Sequence, residues 1–124
     1  MNNANKQLDK IRGCMIGGAV GDALGWPVEF KSEREIFNKY WPDGIKDYVF
    51  NSEGEAEITD DTQMALYTAN GLLYGATQNL LQRVDKPLRQ YVAITYQDWL
   101  YTQEEGRATK LLPGGISWLN NVKG

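Results

Sequence analysis

The residues of this chain that could perform chemistry lie in three short segments, of which Thr59-Asp60-Asp61 is the most concentrated. Adjacent residues inside a helix project about 100° apart. At a helix start, however, the capping residue has non-helical dihedrals, so these three side chains can converge there. A hydroxyl and two carboxylates suit a hard cation. The same pattern is also typical of ordinary capping, in which acidic residues offset the helix dipole.

The second segment is Gly21-Asp22-Ala23-Leu24-Gly25, and the third is the single residue Glu29. Asp22 follows Ala19 by three positions, so its carboxylate projects from the apolar stripe of a helix. A carboxylate there must be hydrogen-bonded, paired or metal-linked, because an unpaired buried charge is costly. Asp22 is therefore either a site residue or a structural acceptor that caps a neighbouring element. Glu29 alone carries little information, since exposed glutamates are common.

The composition narrows the possible chemistry. The 124 residues include no histidine and a single cysteine, which excludes His-based triads, His-bearing metal sites and disulfides within the chain. Any metal would be held by oxygen ligands, which favours Mg, Ca or Mn. The net charge of −3 makes broad electrostatic binding of nucleic acid unexpected. We find no targeting segment and no stretch apolar enough to span a membrane, and we expect a soluble cytoplasmic protein.

The elements that must position these residues are predicted to be helical. Apolar residues at steps of three and four predict an amphipathic first helix, and Ser32 with Glu35 forms a capping box for the second. Asp85 is predicted to be the N-cap of the last long helix, with Pro87 in its first turn. The predicted helices cover residues 5–24, 32 to about 40, 59 to about 75, and 85 to about 105.

The remaining segments are predicted to be turns and short elements. Pro42-Asp43-Gly44 indicates a turn, residues 48–50 a short strand, and a last short helix should follow Pro113-Gly114-Gly115. Two helices carry apolar stripes that we expect to be buried. The first stripe consists of Leu8, Ile11, Met15 and Ala19, and the second of Leu88, Tyr91, Val92, Tyr96, Trp99 and Leu100.

Two of these motifs carry a resemblance to a known family. Residues 11–30, which contain Gly21-Asp22-Ala23-Leu24-Gly25, are similar to the opening helix and loop of the ADP-ribosylglycohydrolase family. Residues 58–64, which contain Thr59-Asp60-Asp61, are similar to the first metal-binding motif of that family. Residues 99–124 resemble it more loosely. The two motifs in the right order are far more specific than either alone.

The resemblance implies an all-α fold, with residues 1–124 forming a single partial domain from its N-terminal portion. It implies a two-magnesium centre that removes ADP-ribose from a modified protein or small molecule. Thr59, Asp60 and Asp61 would be metal ligands, with Asp60 and Asp61 also the catalytic carboxylates. Glu29 at the substrate entrance, Asp22 and Gly115 would contact the substrate. Such a scheme needs no histidine.

The chain also departs from the pattern of the family. Family members are more than twice as long and carry a second Asp-x-Asp-Thr motif near the C-terminus, which is absent from these residues. We therefore expect an N-terminal segment that is inactive alone and is completed by a second chain. The alternative is a non-catalytic module that binds ADP-ribose or a protein. A structural calcium or magnesium domain fits less well, because the residues from Asp43 do not match an EF-hand loop.

Overall fold

The structure, a computed structural model, describes residues 3–104, 115–116 and 119. Within these ranges the elements are helical, which confirms the all-α prediction. A 3₁₀ turn, Trp26–Val28, follows the first α-helix. The α-helices are α1 (Asn3–Gly25), α2 (Glu33–Tyr40), α3 (Asp60–Gln82) and α4 (Leu88–Gln103). The chain divides into two compact units, Met1–Thr62 and Gln63–Gly124. No described helix has the length and apolar character needed to cross a membrane.

In the first unit, α1 confirms the predicted helix but not the predicted burial of its stripe. Leu8 is 44% exposed and Ile11 is 62% exposed, whereas Ala23 is the residue of this helix that is buried. The following 3₁₀ turn contacts α1 near its C-terminal end. A stripe of apolar residues predicts a helix through its period, but its burial depends on whether another element lies against it.

The second helix begins where the capping box predicts. The Ser32 hydroxyl accepts a hydrogen bond from the Glu35 N–H, and the Glu35 carboxylate accepts from the Ser32 N–H at 2.8 Å. The Ser32 hydroxyl also donates to this carboxylate at 2.6 Å. These contacts hold the pKa of Glu35 below its ordinary value; the hydrogen bond from the Ser32 hydroxyl has the larger effect and the one from the Ser32 N–H the smaller.

This capping box has an expected pH dependence. Because the folded-state pKa of Glu35 is depressed, the stabilisation of α2 is fully present above the unfolded pKa, about 4.3, and is lost as the pH falls through the folded-state pKa. A carboxyl ¹³C NMR titration should place the midpoint of Glu35 below the ordinary glutamate value. Ser32→Ala should return it to that value. The same midpoint in both proteins would contradict the role of Ser32.

Between α2 and α3 the chain forms turns rather than the predicted strand. Gly44, at φ 76°, closes the predicted turn with a hydrogen bond from its N–H to the Tyr40 carbonyl. Of the strand predicted at residues 48–50, one bridge forms, between Phe50 and Ala56. The Asn51 side-chain oxygen accepts from two backbone N–H groups of the intervening turn, so the chain reverses before a ladder can extend.

Helix α3 starts in the first unit, one residue after the predicted Thr59, and continues into the second unit. It ends seven residues later than predicted, at Gln82 rather than about Gly75. The predicted end at about Gly75 lies inside the helix, where α3 approaches α4 closely. A Cβ at this position would lie 2.5 Å from Cδ2 of Tyr91. The helix ends where Arg83 adopts φ 52°, a left-handed conformation that commonly stops helices.

The prediction that Asp85 caps α4 is wrong. The N-cap is Pro87, and no side chain hydrogen-bonds there as a cap. Proline has no N–H and its φ is fixed near helical values, so it fits a helix start without help from a side chain. The turn is held instead from α3, where the Asn79 amide donates to the Lys86 carbonyl at 2.8 Å and accepts from the Lys86 N–H at 3.3 Å.

The buried residues of α4 are polar, contrary to the predicted apolar stripe. Thr95 and Asp98 are 0% and 1% exposed, while Leu100 is 60% exposed. The Thr95 hydroxyl donates to the Tyr67 carbonyl of α3 at 2.8 Å. This contact requires that α3 and α4 lie close together. Threonine allows a closer approach than leucine because its side chain is smaller. The short helix predicted after Pro113-Gly114-Gly115 lies largely outside the described residues.

Candidate functional site

The candidate site lies in the first unit, where the end of α1 meets the start of α3. Asp22 is half-buried in the last turns of α1 and Thr59 immediately precedes α3. They are separated by 37 residues in sequence, yet the Asp22 carboxylate accepts hydrogen bonds from the Thr59 N–H at 2.8 Å and from the Thr59 hydroxyl at 2.7 Å. The fold therefore joins the two motifs that the sequence analysis singled out.

Asp22 has a second partner in Thr62, which is 8% exposed. The Thr62 hydroxyl donates to Oδ2 of Asp22 at 2.5 Å, and the Thr62 N–H donates to the same oxygen at 3.3 Å. The carboxylate thus receives two backbone and two hydroxyl hydrogen bonds at a helix N-terminus, where unpaired N–H groups and the helix dipole favour negative charge. Our hypothesis that Asp22 caps a neighbouring element describes this geometry.

The protonation state of Asp22 follows from these contacts. Partial desolvation acts to raise its pKa, but the hydroxyl and backbone hydrogen bonds from Thr62 and Thr59 together outweigh it and hold the pKa below its ordinary value. Asp22 is therefore a carboxylate at neutral pH and can only accept hydrogen bonds.

Thr59 occupies the capping position directly before the two aspartates of the predicted triplet. Its hydroxyl oxygen accepts a hydrogen bond from the Asp61 N–H at 3.2 Å, and α3 begins at Asp60. Both aspartates are exposed in the first turn of the helix. The ion pairs within residues 3–104 join Arg12 to Asp9 and Lys46 to Asp43. The carboxylates of Asp60 and Asp61 take part in neither pair. Their oxygens remain available to a ligand from solvent.

This donor set fits a hard divalent cation. Two carboxylates and one hydroxyl are the oxygen ligands that Mg²⁺ accepts, and Mg²⁺ completes its octahedral shell with waters or other groups. Within the described part of the chain, no three carboxylate or thiol side chains cluster closely enough to hold a metal. The hydroxyl of Thr59 is a third oxygen donor beside the two carboxylates.

The two other predicted residues occupy different surroundings. Glu29 is exposed after the 3₁₀ turn, and its N–H donates to the Trp26 carbonyl at 3.3 Å. Gly115 belongs to the second unit and precedes Ile116, whose N–H donates to Oδ2 of Asp98 at 2.9 Å. Their proposed contacts with substrate stay predictions.

Sequence reasoning gave no role to Thr62, although the structure makes it the second partner of Asp22. Its position three residues after the capping threonine was an available signal, because residues three apart share a helix face. Asn70 was also overlooked: its side chain is 1% exposed, and its amide has no hydrogen-bond partner within the described residues.

The fold and the site together define a helical protein with an oxygen-donor cluster at the start of its third helix. Residues 3–123 match the ADP-ribosylglycohydrolase family. The chain belongs to that family.

One relative among the curated proteins is a protein of Archaeoglobus fulgidus described as uncharacterized. It is 34% identical to this chain over an alignment of 84 residues, and the alignment covers 63% of this chain and 27% of that protein. The matched segment thus covers about a quarter of the relative's length. No solved structure matches the chain significantly.

Proposed function

We propose that this chain forms the N-terminal part of a Mg²⁺-dependent hydrolase that removes ADP-ribose from a modified protein or small molecule. The observation that supports the proposal is the placement of Thr59, Asp60 and Asp61 at the start of α3, where both carboxylates are exposed. Family membership supports the reaction class, and the donor chemistry supports the metal.

In the proposed hydrolysis, the metal and the residues of the triplet would have separate roles. Mg²⁺, when bound, supplies positive charge that orients the ribose hydroxyls and an attacking water. Thr59, Asp60 and Asp61 would hold it, and a carboxylate of Asp60 or Asp61 would accept a proton from that water as the bond at the anomeric carbon breaks. Both side chains are exposed, so water reaches them directly.

Further contacts to substrate are assigned to residues outside the triplet. Glu29, exposed beyond the end of α1, would lie at the substrate entrance, and Gly115 would contact the ADP-ribose moiety. Metal ligands beyond the triplet would come from residues outside it, and the protein would act in the cytoplasm.

A calorimetric titration of ADP-ribose into the full 124-residue chain, with and without Mg²⁺, tests this proposal. Mg²⁺-dependent binding is the expected result, because Thr59, Asp60 and Asp61 would hold the cation and its charge would attract the ribose hydroxyls. Equal binding with and without Mg²⁺ would refute the metal-dependent part. No binding by a sample shown to be folded by circular dichroism would refute the proposal that this chain carries a formed half-site.

A further inference from the structure

Asp22 contacts one member of the triplet directly. Its Oδ1 atom lies 2.7 Å from the hydroxyl oxygen of Thr59. Its Oδ2 atom accepts hydrogen bonds from the Thr59 N–H and from the N–H and hydroxyl of Thr62. One carboxylate oxygen is thus devoted to the Thr59 hydroxyl, and the other to the residues that start α3.

The hydrogen bond between Asp22 and Thr59 has a defined donor and acceptor. The Thr59 hydroxyl donates a hydrogen bond to the Asp22 carboxylate oxygen Oδ1 at 2.7 Å, and a carboxylate oxygen is an acceptor. The hydroxyl oxygen then has two lone pairs, one of which accepts the Asp61 N–H at 3.2 Å. Among the described residues no other donor contacts this oxygen, so one lone pair is left for a ligand.

We propose that Asp22 is a positioning residue for the metal site: it accepts the hydrogen bond of the Thr59 hydroxyl and so fixes the side chain, and Thr59 then presents a lone pair to the cation. This inference rests on the proposed function, because it assumes that Thr59 is a metal ligand. It differs from the substrate contact that the family resemblance implies for Asp22. Residues that orient metal ligands typically contribute about 10–100-fold to metal affinity.

Thr62 provides a matched control within the same network. Its hydroxyl donates to Asp22 just as that of Thr59 does, but Thr62 is buried and is not part of the triplet. Removing either hydroxyl therefore costs Asp22 one hydrogen bond of the same kind. Only the loss of the Thr59 hydroxyl should affect a cation.

The test measures Mn²⁺ affinity of the full chain by electron paramagnetic resonance, since Mn²⁺ accepts the same oxygen ligands as Mg²⁺. Asp22→Asn should weaken Mn²⁺ binding by about 10–100-fold. In a Thr59→Ala background the same substitution should add little, because Asp22 acts through that hydroxyl. Thr62→Val should lower the unfolding midpoint and leave Mn²⁺ affinity unchanged. Circular dichroism verifies folding, and Asp22→Glu, which keeps the charge but displaces the oxygens, replaces Asp22→Asn if that variant unfolds.

Several outcomes would overturn the inference. If Asp60→Asn weakens Mn²⁺ binding but the Asp22 variant does not, the metal site stands and the positioning role fails. If the losses from Asp22→Asn and Thr59→Ala multiply, Asp22 acts independently of Thr59, as a direct contact would. If the unsubstituted chain binds no Mn²⁺, or Asp60→Asn binds as well as it does, the proposed metal ligands fall and this inference falls with them.

Discussion

The double variant Asp60→Asn/Asp61→Asn is expected to bind Mn²⁺ more than about 100-fold more weakly than the unsubstituted chain, since even residues that only orient ligands contribute 10–100-fold. Both side chains are exposed in the first turn of α3, so their replacement leaves no buried group unpaired. The variant removes two of the three proposed protein ligands and both of their charges. Calorimetry or paramagnetic resonance on the full chain measures the loss.

The control for this variant must remove equal charge nearby without touching the triplet. Glu53→Gln/Glu55→Gln does so, because both glutamates are exposed in the turn that precedes α3. Its Mn²⁺ affinity should differ from that of the unsubstituted chain by less than a factor of about 3, the scale of screened surface charge. Equal losses in the two double variants would mean that Mn²⁺ responds to general negative charge and that the ligand assignment is wrong.

A cost in stability accompanies the loss of affinity. Carboxylates in the first turn of a helix contribute about 0.3–1 kcal/mol each through the helix dipole, so the double variant should unfold at a slightly lower denaturant concentration. Metal affinity is therefore compared under conditions in which both proteins are fully folded.

The second large effect is expected at the contact between α3 and α4. Gly71→Ala should lower the free energy of unfolding by about 1–3 kcal/mol, the usual cost of overpacking. A Cβ at Gly71 would lie 2.8 Å from the Thr95 hydroxyl oxygen and 2.8 Å from the backbone Cα of Val92. Because one of the opposing atoms belongs to the backbone, the helices must separate to accommodate the methyl group.

Gly18→Ala is the matched control, as the same substitution in the interior of α1. Nothing lies within 4 Å of a Cβ at Gly18, so the methyl group meets no obstacle. The higher helix propensity of alanine should then raise the free energy of unfolding by about 0.5–1 kcal/mol. Urea denaturation monitored by circular dichroism measures both variants. Effects of the same sign would show that propensity, not packing, dominates at Gly71.

Local sequence signals located two of the four helix starts. The Ser32–Glu35 capping box and the threonine followed by two acids each predict a helix N-terminus within a residue of the observed one. Both signals are made of side chains that hydrogen-bond to backbone groups two or three residues away. Such contacts are complete within one turn of helix, so they can be recognised without knowing the rest of the fold.

Helix ends and buried faces were less predictable. Gly75 suggested a helix end, but its lack of a side chain serves the approach of Tyr91 instead. Leu8 and Ile11 have the spacing of a buried stripe and are exposed, whereas Thr95 and Asp98 are buried. In each case the outcome depends on whether atoms of a neighbouring helix lie against the residue. Periodicity within one helix carries no information about those neighbours.

The sequence by itself determined the helical class and the lack of histidine ligands, and it predicted Thr59-Asp60-Asp61 as a metal site. It left Asp22 with two alternatives, because a carboxylate on an apolar stripe requires a partner but does not specify one. The tertiary structure decided that partner by bringing the end of α1 to the start of α3, across 37 residues of chain. A hydrogen bond depends on distance and direction in space, and residues so far apart in sequence acquire both only through folding.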